Sequence, residues 1–154
     1  MWFITDAQSF IIPAIAIFSG LIYVERKRGV VLIFSAILIL IINDFISHQI
    51  LKEFFERTRP CNALDILKGI PHCTNSFSFP SNHASNIFTL ATLSSLCYKN
   101  TTLLALAVAL MVGFSRVYLG FHYPSDVIGG AICGIVMGFL GYKMYLYFQR
   151  FFIR

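Results

Sequence analysis

Apolar residues occur along this chain in long continuous runs. Five runs stand out, at about Phe10–Val24, Val30–Ile50, His83–Tyr98, Thr102–Tyr118 and Pro124–Phe148. Runs of this kind approach the roughly 20 residues with which a helix crosses the hydrocarbon core of a bilayer. Continuous runs indicate helices, because the strands of a membrane barrel alternate apolar and polar residues. The pattern predicts an all-α integral membrane helical bundle of about five transmembrane helices, and we interpret residues 1–154 as a single membrane-embedded domain.

The composition supports a membrane protein. Hydrophobic residues make up 57% of the chain and charged residues 12%, whereas soluble domains carry about 25% charged residues. The net charge of +5 suits a protein that faces anionic lipid surfaces. A nucleic-acid partner, typical of other basic proteins, is not expected, because no soluble part is left to carry a basic face.

The distribution of Lys and Arg predicts the orientation in the membrane. Asp6 precedes the first apolar run and the basic residues Arg26–Arg28 follow it, which is the reverse of a cleaved signal peptide. We interpret this run as a retained helix with its N-terminus outside. The cytoplasmic side then receives most of the cations, as the positive-inside rule expects: Arg26, Lys27, Arg28, Lys99, Lys143, Arg150 and Arg154. The expected orientation has the N-terminus outside and the C-terminus in the cytoplasm.

Polar residues on the predicted outer side are concentrated in three stretches. They are KEFFERTRP at residues 52–60, PSNH at residues 80–83 and SRVYLGFHYPSD at residues 115–126. Cations on this side need a reason to be there, because the positive-inside rule disfavours them. Lys52, Arg59 and Arg116 are suited to surround a phosphate, since arginines give forked hydrogen bonds to its oxygens. The three stretches therefore predict an anion site at the outer membrane face.

Two histidines in these stretches are candidates for the chemistry. His122 and Asp126 are four residues apart, so on a helical turn they share a face and the carboxylate can orient the imidazole. Such a histidine can act as a nucleophile, and His83 is available as a general acid. Ser81 is placed to cap a helix whose first amides, at Asn82 and His83, favour a bound phosphate. Singly, these residues also fit structural roles, such as an interfacial hydrogen-bonded pair.

In this order and spacing, the three stretches resemble the signature of the type 2 phosphatidic acid phosphatase superfamily, which is K-x6-RP, then PSGH, then SR-x5-H-x3-D. The resemblance implies a metal-independent phosphatase that forms a phosphohistidine intermediate and needs no cofactor. It implies that His122 is the nucleophile, Asp126 its orienting partner and His83 the acid for the leaving group. It also implies a phosphate-binding set made of Lys52, Arg59, Ser81, Asn82 and Arg116.

The chain departs from this signature at one position, where Asn82 replaces the usual Gly. Asn is among the few residues that tolerate a left-handed backbone, so we expect its amide still to reach a phosphate. Its side chain adds a polar group near the site, which we expect to affect the choice of substrate. Many integral members of the superfamily have six helices where five are expected here, and the missing helix would precede the residues of the signature.

Several polar residues fall outside the signature. Arg57 and Lys68 are either solvated charges or extra substrate contacts. Cys61 and Cys73 lie in the outer polar stretch, where an oxidising compartment favours a disulfide over two free thiols. A metal site is not expected, because the cysteines lack paired CxxC spacing.

Two repeats with a spacing of four residues are candidates for structural roles. Asp44, His48 and Lys52 share a helical face, which we interpret as a buried network that orients Lys52. The alternative is a functional site within the membrane. Glycines at the same spacing predict close helix packing, with a glycine-lined substrate groove as the alternative: Gly130, Gly134 and Gly138.

These expectations combine into a lipid phosphatase acting at the periplasmic face on a membrane phospholipid or lipid A. By resemblance, lipid A 1-phosphate is the first candidate. Undecaprenyl diphosphate, phosphatidylglycerol phosphate and phosphatidic acid are the alternatives. A rival from another class is a non-catalytic lipid-phosphate carrier, but the chain lacks internal repeats and its ionisable cluster lies at the membrane surface. The sequence carries no signal for oligomeric state.

Overall fold

The apolar runs form the long helices of the chain, which the computed structural model describes over residues 19–20, 23–67, 71 and 73–153. A π-helical segment, Ile46–Leu51, follows α1 directly, and single 3-10 turns lie at Asp65–Leu67 and Lys99–Thr101. Within the described residues there is no strand, and the predicted all-α class is confirmed. The α-helices are α1 (Lys27–Phe45), α2 (Lys52–Phe55), α3 (Pro60–Ala63), α4 (Asn82–Cys97), α5 (Thr102–Tyr118) and α6 (Pro124–Phe152).

Three helical segments of the described chain are long and apolar enough to cross a membrane. They are Lys27–Ala63, Lys99–Tyr118 and Pro124–Phe152, with mean hydropathies of 2.6, 1.6 and 1.6. Helix α4 has 16 residues and is about 24 Å long at 1.5 Å per residue, which is less than the roughly 30 Å of a hydrocarbon core. The first predicted run, Phe10–Val24, lies mostly outside the described residues.

The other four predicted runs correspond to helices, with small differences at their ends. Helix α5 has the predicted bounds, whereas α6 continues past Phe148 to Phe152. Helix α1 begins at Lys27, three residues before the predicted start, because Lys and Arg are good helix formers and the left-handed Arg26 marks the helix start (φ 51°). Helical structure also continues past Ile50 through α2 to Phe55.

Helix α4 lies in the middle of the bundle, against α6, α5 and α1. Its contact with α6 depends on the predicted glycines. A Cβ atom at Gly134 would lie 2.3 Å from the Ser85 carbonyl oxygen, and one at Gly130 would lie 2.5 Å from the Ser81 carbonyl oxygen. No side chain fits at these distances, so the glycines allow α6 to approach the backbone of α4. The predicted role in close packing is confirmed.

Polar side chains join α1 to α4. The Ser85 hydroxyl donates to Asn43 Oδ1 at 2.9 Å, and Asn43 Nδ2 donates to Asn86 Oδ1 at 2.5 Å. Asp44 Oδ1 accepts from Asn86 Nδ2 at 3.0 Å and from Asn82 Nδ2 at 3.4 Å. Asn43 and Ser85 are buried, so these hydrogen bonds satisfy polar groups that are costly to leave unpaired.

The predicted buried network of Asp44, His48 and Lys52 is wrong in its members. Asp44 and His48 are exposed, and only Lys52 is buried. The buried polar position of this part of α1 is Asn43, one residue before Asp44. His48 lies in the π-helical segment that ends just before Lys52. The two residues therefore do not have the spacing of an α-helix, because one π turn shifts the register of the residues that follow.

Candidate active site

Lys52 and Arg59 are brought to the site by the segment that follows α1. The π-helical segment ends at Leu51, and Lys52 begins α2 with its side chain only 3% exposed. Glu56 then takes a left-handed conformation (φ 46°) and ends α2, so that the chain turns before Arg57. Pro60 begins α3, which suits a residue without an amide hydrogen. Arg59 therefore lies in the short turn between two helices.

His122 is positioned by the turn that follows α5. Gly120 has a φ of 72°, a left-handed conformation that glycine adopts without a steric cost. The chain reverses there, and the amides of Phe121 and His122 donate to the Arg116 carbonyl oxygen at 3.1 Å and 3.3 Å. His122 and Asp126 do not lie on one helical turn, because α6 begins only at Pro124. The imidazole reaches Asp126 from the turn.

Asp126 is fully buried and accepts hydrogen bonds from several donors. Its Oδ2 atom accepts from the Ser78 hydroxyl at 2.5 Å and from the Tyr123 amide at 2.8 Å, and it lies 3.5 Å from His122 Nδ1. Its Oδ1 atom accepts from Arg57 Nη1 at 2.8 Å. A buried carboxylate with this many donors stays ionised and keeps one orientation.

These contacts assign the tautomer of His122. Its Nδ1 atom faces the Asp126 carboxylate, which only accepts, whereas its Nε2 atom lies 3.1 Å from Arg59 Nη1, which only donates. In the neutral ring the proton is therefore on Nδ1 and the lone pair is on Nε2. Burial of the ring lowers the pKa of His122, and its hydrogen bond to Asp126 partly opposes this effect. At neutral pH the Nε2 lone pair is available as a nucleophile.

Arg59 is held by the loop that precedes α4. Its Nε atom donates to the Ser76 carbonyl oxygen at 2.8 Å, and its Nη2 atom donates to the Ser76 hydroxyl at 3.0 Å. A disulfide between Cys61 and Cys73 joins the two ends of this part of the chain. The loop thereby directs the remaining Nη1 group of Arg59 toward His122.

Three cations lie close together at the site: Lys52, Arg59 and Arg116. Lys52 and Arg116 are 3% and 5% exposed, and Arg59 lies close enough to both to repel their charges. Buried like charges are costly unless an anion neutralises them. Asp126 is the carboxylate near Lys52 and Arg59, and it is already paired with Arg57. The arrangement therefore favours binding of a further anion.

The start of α4 completes the site. Ser81 is buried and caps the helix through a 3.5 Å hydrogen bond from the Ala84 amide, while its own amide donates to the Asp126 carbonyl oxygen at 3.0 Å. The first-turn amides, at Asn82 and His83, have no acceptor within the helix, which suits them to an anion. The His83 side chain is exposed, near Arg116 and His122.

A family model, described as PAP2 superfamily, matches residues 28–150. The chain belongs to the PAP2 superfamily. Its helical bundle is that of an integral membrane PAP2 protein, and the matched residues include all of α1–α6 except Lys27 of α1 and the last two residues of α6.

Two curated PAP2 relatives and one solved structure show the range of similar proteins. The lipid A 4′-phosphatase of Porphyromonas gingivalis is 29% identical over 95% of this chain and 65% of its own length. The undecaprenyl-diphosphatase BcrC of Bacillus subtilis is 34% identical over 64% of this chain and 50% of its own length. The chain thus spans between half and two thirds of these two relatives. The crystal structure of a transmembrane PAP2 type phosphatidylglycerolphosphate phosphatase from Bacillus subtilis matches with a TM-score of 0.67 and 30% identity, over 94% of this chain and 73% of that chain.

The structure brings the predicted PAP2 signature residues together and differs from the sequence interpretation at two positions. Asn82 is the first residue of α4 and its φ is not positive, so its tolerance of a left-handed backbone is not used. Arg57 was expected to be solvated or to contact substrate, but its guanidinium binds Asp126. Lys68, the other candidate for an extra substrate contact, lies outside the described residues.

Sequence reasoning missed Ser76 and Ser78. Ser78 is fully buried against Asp126 and lies 3.3 Å from His122 Nδ1, and Ser76 holds Arg59. The available signal was weak. Both serines lie in a polar loop just before PSNH, where serine is common for many reasons.

Proposed function

We propose that this chain is a metal-independent lipid phosphatase that forms a phosphohistidine on His122. The observation that carries this proposal is the position of its Nε2 lone pair, which faces the half-buried Arg59 while Nδ1 faces the Asp126 carboxylate. A histidine arranged in this way is an activated nucleophile next to a binding site for the group that it attacks.

The reaction has two steps. In the first, Nε2 of His122 bonds to phosphorus while the bond from phosphorus to the lipid oxygen breaks, and His83 donates a proton to that oxygen. In the second, His83 takes a proton from water, the water oxygen attacks phosphorus, and the bond to Nε2 breaks to release inorganic phosphate. Asp126 stabilises the charged ring through Nδ1 in both steps.

Positioning and charge stabilisation account for most of the catalysis in phosphoryl transfer. Arg59 occupies the place in front of Nε2 where phosphorus would bind, so its Nη1 group is expected to move onto a phosphate oxygen when substrate arrives. Lys52, Arg116 and the first amides of α4 would hold the other oxygens. These fixed donors supply the positive charge that a metal ion supplies in other phosphatases.

The proposed location is the periplasmic face of a bacterial inner membrane. The positive-inside rule supports this orientation, with the N-terminus and the site outside and the C-terminus in the cytoplasm. The Cys61–Cys73 disulfide supports it independently, because such bonds persist in oxidising compartments. At this face a lipid presents its phosphate at the surface while its chains stay in the bilayer.

The proposed substrate class is a lipid phosphate, with lipid A 1-phosphate as the first candidate. A lipid A phosphatase among the relatives supports this class. Undecaprenyl diphosphate and phosphatidylglycerol phosphate are the alternatives, since other similar proteins carry those names. All of these substrates would use the same histidines and cations.

The test is phosphate release by the purified protein in detergent and EDTA from lipid A 1-phosphate, undecaprenyl diphosphate, phosphatidylglycerol phosphate and phosphatidic acid. We expect release that survives EDTA and is lost to background in His122→Ala, while His83→Ala falls about 10²- to 10⁴-fold, as removal of a general acid does. Arg150→Gln, at the far end of α6, is the control. A folded wild-type protein that binds these lipids without releasing phosphate would support the carrier instead.

A further inference from the structure

Arg57 lies outside the PAP2 signature, yet it makes the most direct ionic contact to the buried carboxylate. Its Nη1 atom is 2.8 Å from Asp126 Oδ1 and donates to the Ser125 hydroxyl at 2.6 Å. Its guanidinium also lies over the Tyr123 ring, 4.0 Å from the centroid. Contacts with Tyr123, Ser125 and Asp126, at and just before the start of α6, therefore fix this side chain.

The backbone of Arg57 is tied to the same carboxylate from another direction. The Ser78 amide donates to the Arg57 carbonyl oxygen at 2.7 Å, and the Ser78 hydroxyl donates to Asp126 Oδ2 at 2.5 Å. Ser78, in the loop before α4, thus joins the turn after α2, which contains Arg57, to the start of α6, which contains Asp126. The two carboxylate oxygens are divided between Arg57 on one side and Ser78 with His122 on the other.

We propose that Arg57 is a positioning residue that holds Asp126 in the orientation needed by His122, rather than a contact to substrate. This inference rests on the proposed function for its catalytic consequence only. Rotation of the carboxylate would turn Oδ2 away from His122 Nδ1. The contact of Arg57 Nη1 with Oδ1 opposes this rotation, together with the Ser78 hydroxyl and the Tyr123 amide, which hold Oδ2.

Arg57 also affects the charge on the imidazole. The positive charge of Arg57 partly cancels the negative charge of Asp126. Removing the positive charge leaves the Asp126 charge less compensated next to Nδ1, which stabilises the protonated ring. The other charged or titratable groups at this site are Asp126, Arg59, Lys52, Arg116 and His83, and a substitution at Arg57 leaves them in place. The pKa of His122 is therefore expected to rise when the charge at position 57 is removed.

The experiment compares Arg57→Gln, which removes the charge, with Arg57→Lys, which keeps it. In Arg57→Gln we expect kcat to fall about tenfold with little change in KM, and the acid limb of kcat/KM to move upward by about 0.5 pH unit, since a charge in direct contact shifts a pKa by about one to three units and this one acts through Asp126. In Arg57→Lys the acid limb is expected to stay near that of wild type. Arg150→Gln is the matched control for loss of an arginine.

A direct titration of His122 by ¹⁵N NMR separates this inference from the proposed function. The chain has 4 histidines, and His122→Ala assigns the signal of interest. A higher His122 pKa in Arg57→Gln supports the positioning role even in a preparation that releases no phosphate, which would count against the proposed function alone. An unchanged titration, or a rise in KM with an unchanged pH profile, would overturn the positioning role and make Arg57 a substrate contact.

Ser125→Ala keeps the test valid if Arg57→Gln fails to fold, as judged by its elution profile and melting temperature. This variant retains the arginine and removes one of the two acceptors of Nη1. We expect kcat to fall two- to fivefold without a shift of the acid limb. Full activity in both Ser125→Ala and Arg57→Lys would contradict the proposal.

Discussion

At the scale of single residues, the site is organised around one buried carboxylate. Asp126 receives hydrogen bonds from Ser78, the Tyr123 amide and Arg57, and faces His122. A carboxylate that makes so many contacts has little freedom to reorient, so it fixes both the ring orientation and the tautomer of His122. The spacing of His122 and Asp126 predicted that this pair exists. It did not predict Ser78 or Arg57, because their contact depends on how two separate turns fold.

The environment of His122 predicts the pH dependence of the enzyme. Burial lowers the pKa of His122 from its ordinary value of 6.5, so the ring loses its proton at a lower pH than a free imidazole. Since the nucleophile must be unprotonated, the acid limb of kcat/KM is expected to have its midpoint below 6.5. Phosphate release measured across the acid range checks this.

The pH profile of kcat/KM in Asp126→Asn tests whether the acid limb of the wild-type profile belongs to His122. That substitution removes the charge that favours the protonated ring, so the midpoint should fall further while kcat drops. A wild-type midpoint above 6.5 would show that the carboxylate outweighs burial, or that the limb belongs to another group.

At the scale of helices, small residues and one π-helical segment determine where the side chains of the candidate site lie. The glycines of α6 allow close approach to α4, which brings Ser81 and its helix N-terminus next to Asp126. The glycines spaced four residues apart correctly predicted this close contact between α4 and α6, because a repeat of small residues has few other interpretations in an apolar helix. The π-helical segment before Lys52 left no such pattern in the sequence.

Substitutions at two glycines of the contact between α4 and α6 distinguish an effect on packing from an effect on catalysis. A Cβ atom at Gly130 would meet the Ser81 carbonyl oxygen at 2.5 Å, and one at Gly138 would meet Thr92 Cβ at 2.5 Å, farther along α4 from the site. Both Gly130→Ala and Gly138→Ala are expected to destabilise the fold by about 1–3 kcal/mol, as overpacking does. Only Gly130→Ala should lower kcat strongly, because it displaces the cap of α4.

Melting temperatures and phosphate release of the two variants check this difference. Gly20→Ala is a control, since a Cβ atom there meets no atom of the described residues within 4 Å. Equal losses of kcat in Gly130→Ala and Gly138→Ala would mean that displacement of Ser81 is not the cause of the loss.

At the scale of the whole molecule, the site forms where three distant stretches of the chain meet at one end of the bundle. The order and spacing of the signature residues predicted which stretches meet, and the helical runs predicted the bundle that brings them together. The loops between them were not predictable, because their polar residues fit many turns. The loop before α4 matters most, since its Ser76 and Ser78 hold Arg59 and Asp126.

The disulfide between Cys61 and Cys73 is expected to support catalysis through this loop. It closes a segment with a sequence separation of 12, for which the chain-entropy model gives about 3 kcal/mol of stabilisation relative to the open chain. Without it, Ser76 is free to leave Arg59, and the guanidinium loses the contacts that direct Nη1 toward His122. We expect reduction, or the double substitution Cys61→Ser with Cys73→Ser, to lower kcat/KM several-fold while the helices stay folded.

Two controls test whether loss of the disulfide is the cause of any fall in kcat/KM. A reductant should not affect the double serine variant further, and Cys97→Ser with Cys133→Ser, which removes the two free cysteines, should leave the response to reductant unchanged. Circular dichroism before and after reduction reports whether the helices persist. If the reduced wild-type protein keeps full kcat/KM, Arg59 is held without the disulfide, and the contacts of its guanidinium with Ser76 are sufficient to place it.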